Sequence, residues 1–465
     1  MSLEQEVKSI LPGVEIYPSS VAEAEGGQAL MLRLQAKDML AVSGSLRAQF
    51  EGEDHGGFRL CPLTRENRLA LNGAFPYTAP RALGSKVPTF GFGDRLGYAN
   101  PAQLTSLKGT SFLPVLAQQS MRELSLIGRT YQQVIDTASW AAFRQGWKKG
   151  FAADGDHLKT PEEIQAALDA GCSMITLDCS LVMNQPPNKE PARTHWAEQY
   201  LQNKAAKELG LRFDEALLGQ LERTYAGALE LARDVVEKRI RPAGREIDFE
   251  LSVDETQDIT LPEAHYYVAN ELRRAGVALT SLAPRFVGEF HKAIDYIGDI
   301  AALAQQLRAH ARVADHFGHK LSLHSGSEKY AVFPLLARET KGRCHVKTSG
   351  TSWLEVVECI AKADPNLYRD MHRKALASLS EAKKLYVVHC DPRWIPELES
   401  LPDNQLPALL EMSQGDCRQL MHITYGSILA EEGLRQRIYA FLEAHRALYE
   451  TEILELYTRH LKLLK

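Results

Sequence analysis

From residue 88 onward the chain alternates between two rhythms. Short apolar runs rich in β-branched residues are separated by amphipathic stretches with a period near 3.6. The runs are 88–93 (VPTFGF), 149–154 (KGFAAD), 173–178 (SMITLD), 247–254 (IDFELSVD), 277–282 (VALTSL), 319–324 (HKLSLH), 343–348 (RCHVKT), 385–389 (LYVVH) and 420–425 (LMHITY). Between most of them lie helical stretches such as "TPEEIQAALDAG" and "PEAHYYVANELRRAG". Strands alternating with helices predict a parallel sheet, and about eight such units predict an α/β fold of the (β/α)8 TIM-barrel type over residues 88–465. Nine runs for eight places leave one surplus. A doubly wound open sheet is the alternative. The long polar stretch 181–245 predicts helices inserted into the third or fourth unit. Residues 1–87 lack the rhythm and carry turn material such as "EGEDHGGF", which predicts an α/β extension packed on the barrel.

Polar residues gather where the runs end. Asp94 and Arg95 follow "TFGFG", Asp156 and His157 follow "GFAADG", and Asp178 ends "MITLD". Asp254 and Glu255 follow "FELSV", Arg285 follows "LTSLAP", His324, Ser325, Ser327 and Lys329 follow "KLSL", and Lys347, Thr348 and Ser349 follow "CHV". In a βα barrel these ends converge on one mouth. Thr160-Pro161-x-Glu163 reads as a capped helix start, so "DGDH" reads as a βα loop pinned on both sides. His157 and His324 are candidate ligands or catalytic groups. His345 shares a strand face with Lys347, and His422 occupies a comparable run. Of the adjacent Asp254 and Glu255, Glu255 is the candidate catalytic carboxylate. Three imidazoles at one mouth suit zinc, or manganese, nickel or cobalt in a more oxygen-rich shell. "HSGSEK" and "KTSGTS" combine Gly, hydroxyls and Lys, which suits a carboxylate, a phosphate or sugar hydroxyls, and Ser352-x-x-Glu355 reads as a helix cap. His265 and His291 lie on helical patterns. His195, His310, His316, His372, His445 and His460 fall in polar helical stretches and are expected in solvent.

Composition narrows the classes. The chain has 465 residues, 45% hydrophobic, with 54 Lys plus Arg against 59 Asp plus Glu. No dense basic cluster interleaves with aromatics, so a nucleic-acid partner is not expected. No run reaches membrane-span length and the N-terminus lacks a basic, then apolar, leader, so the expectation is a cytoplasmic protein with no membrane partner. Seven scattered cysteines without C-x-x-C fit a reducing compartment. The glycines of "GFGDRLG" do not form G-x-G-x-x-G, so no dinucleotide site is expected. A homo-oligomer is compatible with the sequence.

Taken in order, "GFGDRLG", "DGDHLKT", "VDET", "ANELRRAGV", "SLHSGSEKYAVFP" and "HVKTSGTSWLEVV" resemble the tagaturonate/fructuronate epimerase family. The resemblance implies a divalent-metal-dependent barrel enzyme that interconverts two ketouronates at C4 in hexuronate catabolism. It implies Asp156 and Glu255 as the acid–base carboxylates, His157, His324 and His345 as metal ligands, with His422 as the alternative third. Arg95, Ser325, Lys329, Lys347 and Ser349 would bind the sugar acid, with Arg95, Lys329 or Lys347 on its carboxylate. The segments "ETQDITLPEAH" and "RLGYANPAQ" depart from the family's run. The expected substrate is therefore a sugar acid or a ketose. C4 of a 2-keto sugar is β to the carbonyl, so simple enolisation does not acidify it, and retro-aldol cleavage with re-addition is the expected route. The alternative is a metal-dependent aldolase or ketose/aldose isomerase, including tagatose/fructose 4-epimerase activity.

Overall fold

A computed structural model describes residues 2–185, 193–254, 258–348 and 350–465. Six short strands open the chain: β1 (Glu15–Ile16), β2 (Ala22–Ala24), β3 (Gly27–Leu34), β4 (Lys37–Ser43), β5 (Glu53–His55) and β6 (Phe58–Pro62). They form an antiparallel sheet of order β1-β3-β4-β6-β5, with β2 also on β3. One face packs on the helix Leu3–Ile10 and the other on the helices Arg65–Ala74 and Tyr131–Arg144, the last of which belongs to the barrel.

Eight parallel strands then close a barrel: β7 (Thr89–Phe92), β8 (Leu113–Ser120), β9 (Ala152–Leu158), β10 (Met174–Asp178), β11 (Asp248–Val253), β12 (Ser281–Pro284), β13 (Lys320–Leu323) and β14 (Cys344–Thr348), with β14 paired to β7. The (β/α)8 expectation holds. The helical insertion falls between β10 and β11, in the fourth unit, and contains the long helix Glu215–Val235.

The strand list needs three corrections. β8 was not expected: its "LPVLAQQS" has a proline at its second position and two glutamines before its last, leaving a short apolar run. Gln118 and Gln119 are nonetheless buried. Residues 385–389 form no strand; they are irregular chain, of which Leu385, Tyr386 and Val387 line the cavity at the mouth. Residues 420–425 fall on the helices Gly415–Ile423 and Tyr425–Ala430, because an apolar run buried on all sides carries no period to separate helix from strand.

Local signals elsewhere behave as written. Thr160 and Glu163 close a capping box on Pro161–Ala170, and Gly171 ends that helix in the left-handed region at φ +103°. The helix Thr351–Ala363 differs. Gly350 is its cap, and the Ser352 hydroxyl instead donates to the Gly93 carbonyl, so Ser352 does not cap. Buried Asp94 accepts from the backbone N–H groups of Gly97, Tyr98, Ala99 and Asn100, fixing the turn after β7.

The last two helices, Glu432–Ala444 and Arg446–Leu463, tie the two parts together. Tyr457 packs on Phe92 at 4.8 Å, Arg446 meets Asp38 at 2.8 Å, and Glu443 of the first meets Arg33 at 2.7 Å. His310, His372 and His460 are buried rather than solvated. His310 ends a chain of three rings. Its Nε2 must donate to the Thr260 carbonyl at 3.1 Å, so its Nδ1 accepts from His265 Nδ1 at 3.0 Å, and His265 Nε2 accepts from His319 Nε2 at 2.8 Å. Burial holds His265 well below the usual imidazole range, His310 down to about 4 and His319 down to about 3, so all three are neutral. All seven cysteines are free and buried. Among the described residues, no helix is long and apolar enough to cross a membrane.

Candidate active site

The site is built on strand ends. β9 continues through "DGDHL", so the expected loop is itself strand. Period two puts Asp154 and Asp156 on the inner face. Against β10 the register advances three residues on β9 (Gly155 to Leu158) for two on β10 (Ile175 to Leu177), which is a bulge. His157 sits in it at φ +55°, and this lets Asp156 and His157, adjacent in sequence, both line the cavity.

Lys347 forms the floor. Its Nζ lies 2.9 Å from Asp154, 2.8 Å from Asp156, 2.9 Å from Glu250 and 2.5 Å from the Thr176 hydroxyl, all buried. Burial works against every charge here, and pairing overrides it for most. Burial alone would depress Lys347, but the three carboxylates hold it well above the usual lysine range. Burial would raise Asp156 and Glu250, yet Lys347 beside them holds both well below the usual carboxylate range. For Asp154 burial prevails and lifts it to about 6, against the pull of Lys347.

Above this floor His157, Asp254 and His324 each offer one ligand atom, all within 4.8 Å of one another. Each imidazole is held from behind by a carboxylate. His157 Nδ1 lies 2.8 Å from Asp156 Oδ1, and His324 Nε2 lies 2.8 Å from Glu250 Oε1. His324 Nδ1 is buried without a hydrogen bond and points to Asp254 Oδ1 at 3.2 Å; Asp254 is itself held by the Ser252 hydroxyl. Burial would lower His324, but Asp254 outweighs it and the pKa rises to about 10. His157 is likewise raised by Asp156 against its burial. Two nitrogens and one carboxylate oxygen, with both far ring nitrogens carboxylate-bound, are a donor set for a divalent transition ion.

A cavity of about 880 Å³ opens over the cluster. Its walls include Arg95, Gln118, Glu123, Arg285 and Ser325. Arg95 lies there as expected, but its Nε and Nη2 donate to Glu123 Oε1 at 3.0 and 2.7 Å, and it stacks on Tyr425 at 3.6 Å. Its buried Nη1 has no hydrogen-bond partner among the described residues. Ser325 accepts from Lys292 at 3.1 Å. Lys329 is drawn away: its Nζ donates to the carbonyls of His291, Ile294 and Ser327, and burial, then Lys292, push it down to about 7. Lys347 is occupied by its carboxylates. Glu255 and Ser349 lie outside the described residues.

His345 is not brought to the cluster. It points inward as expected but sits a layer deeper, its Nδ1 2.9 Å from the Thr89 hydroxyl, and burial lowers it to about 3. His422 lies on a helix, buried and held well below the usual range by burial. Asp254 occupies the third place instead. A signal was present: Asp248, Glu250, Ser252 and Asp254 alternate along β11 and its end, which puts Asp254 rather than Glu255 in phase with the inner face. Glu123 and Gln118 were also missed, because β8 was.

A closed parallel barrel with carboxylates, imidazoles and a lysine gathered at the C-terminal mouth marks an enzyme of the TIM-barrel kind. The chain belongs to the tagaturonate epimerase family, whose sequence profile matches residues 17–464. It is 36% identical to the tagaturonate/fructuronate epimerase of Thermotoga maritima, over 97% of each chain. The glycerol-complexed crystal structure of fructuronate-tagaturonate epimerase from Cohnella laeviribosi is similar at a TM-score of 0.91 and 42% identity, covering 97% of this chain and 96% of that one. The native crystal structure of that epimerase gives 0.90 and 41%, covering 99% and 98%. These relatives are epimerases, and the chain is an enzyme of the isomerase class.

Proposed function

We propose that this enzyme inverts C4 of a 2-keto hexuronate, interconverting tagaturonate and fructuronate, with a divalent cation held by His157, Asp254 and His324. The convergence of those three residues, each imidazole backed by a carboxylate, carries the reading. Bound there, the cation supplies Lewis-acid stabilisation of negative charge on the sugar's oxygens. Asp156 and Glu250 keep the two rings turned with their other nitrogens toward the cavity, and Lys347 keeps both carboxylates ionised. Asp156 is then a positioning residue rather than the base expected from the sequence.

Glu123 is the better proton carrier. Arg95 takes its Oε1, while its Oε2 accepts no protein hydrogen bond among the described residues. Removing the C4 hydroxyl proton lets C3–C4 break, with the electron pair left on C3 beside the C2 carbonyl. The aldehyde fragment turns, the bond re-forms on its other face, and the C4 oxygen takes back a proton. Glu255 remains the candidate for the opposite face. Gln118, whose buried side-chain oxygen and nitrogen have no hydrogen-bond partner among the described residues, is suited to sugar hydroxyls.

Incubation with fructuronate, with resolution of the C4 epimers, tests the reading. Tagaturonate should form, should stop forming with chelator, and should return with zinc, manganese, nickel or cobalt. Cleaved fragments or an aldose as the product would favour the aldolase or isomerase alternative. Deuterium from solvent at C4 would sink the retro-aldol route.

Arg285 is the proposed ligand of the substrate carboxylate, since its guanidinium has no hydrogen-bond partner among the described residues and it lines the cavity. A charged hydrogen bond of this kind is worth about 1.5–3 kcal/mol. Arg285→Leu should therefore raise KM for the ketouronate by roughly 10- to 100-fold and leave kcat within a few-fold. Steady-state kinetics on both enzymes decides it; an unchanged KM would move the carboxylate elsewhere.

A further inference from the structure

Glu289, His291 and His389 gather into a cluster that shares no residue with the inner one; Glu289 and His291 line the same cavity, and His389 follows Leu385, Tyr386 and Val387, which also line it. We propose that they form a second divalent-cation site, suited to a borderline ion such as zinc. Both imidazoles present Nε2 to one oxygen, Glu289 Oε2, at 2.8 and 2.6 Å, and the ring centroids lie 4.3 Å apart. The ligand atoms all lie within 4.8 Å of one another.

The orientation of His291 suits a ligand. Its Nδ1 lies 3.1 Å from the Val387 carbonyl oxygen, which can only accept, so Nδ1 donates there and Nε2 is the nitrogen turned to the Glu289 carboxylate and the His389 ring. A backbone carbonyl on the far nitrogen is a usual support for a metal-bound histidine.

The backbone beneath is fixed. Glu289 exchanges N–H···O bonds with Ile297 at 2.8 and 3.2 Å, and the His291 carbonyl accepts from buried Lys329 at 2.8 Å. This gives Lys329 a role that the inner site does not. His291 belongs to the loop after β12 and His389 to the segment 385–389, and both segments line the cavity. An ion bound here joins them across the entrance.

The test is a metal count on the full chain, stripped with chelator and then dialysed against zinc at a few-fold excess. Wild type should hold two ions per chain. His389→Ala and Glu289→Gln, both changes at exposed side chains, should each hold one, and His324→Ala should keep the outer ion. If His389→Ala and Glu289→Gln hold as much zinc as wild type, the outer site is overturned. It is equally overturned if wild type holds a single ion that His324→Ala abolishes. A single ion lost in His389→Ala but kept in His324→Ala would support the outer site and count against the inner one, so the two readings fail separately.

Discussion

Lys347→Met is expected to destabilise the protein by about 3–5 kcal/mol, the usual cost of leaving buried charge without its partner. That is a large share of a typical domain's net stability of about 5–15 kcal/mol. One ammonium serves Asp154, Asp156 and Glu250, and no other lysine or arginine among the described residues forms an ion pair with any of the three. Methionine fills the same space but leaves three carboxylates in a dry floor. Asp154 is the readiest to accept a proton, being already lifted to about 6 by burial. Asp154→Asn in the Lys347→Met background should therefore restore part of the loss. Urea midpoints of the three proteins measure this. A Lys347→Met midpoint equal to wild type would mean that the floor is solvated, and the electrostatic account of the site would fall with it.

His324→Ala is expected to lower kcat/KM on the order of 10³-fold, because the Lewis-acid cation proposed to bind there would contribute several kcal/mol of charge stabilisation and about 1.4 kcal/mol is tenfold. The fold should survive, since Lys347 still holds Glu250 and the lost ring lies at the strand end, beneath the cavity. Kinetics and thermal unfolding on the same preparation separate the two effects. Full activity in a folded His324→Ala protein, or in wild type after exhaustive chelation, would remove the cation from the mechanism.

The barrel was legible wherever a strand's apolar run was near-continuous, as in "MITL". It was illegible at β8, where two of the buried positions are Gln118 and Gln119 and a proline stands second in the strand. The inner face was partly legible too. Period two placed His345 and Lys347 together, but it says nothing about depth along the barrel axis, and depth is what separates a cavity floor from a layer below it. Charge partners were the least legible feature. Arg95, Lys329 and Lys347 all looked available to a substrate acid; Lys329 is taken by carbonyls, Lys347 by three carboxylates from two other strands, and Arg95 largely by Glu123. His291 looked helical, whereas it lies in the irregular loop after β12.

The pairings between the ends of the chain set the order in which this protein can be completed. Asp38 finds Arg446 across 408 positions, Arg33 finds Glu443 across 410, and β7 and β14 close the barrel across 256 between Thr89 and His345. During synthesis the N-terminal sheet therefore emerges long before its ion partners, and the barrel's first strand waits for its last. Closing such long loops carries entropy that local contacts cannot repay early, so folding is late and slow. The nascent chain spends that interval with the edge of β7 unpaired, and it is in this interval, rather than in the finished enzyme, that its exposure to aggregation is greatest.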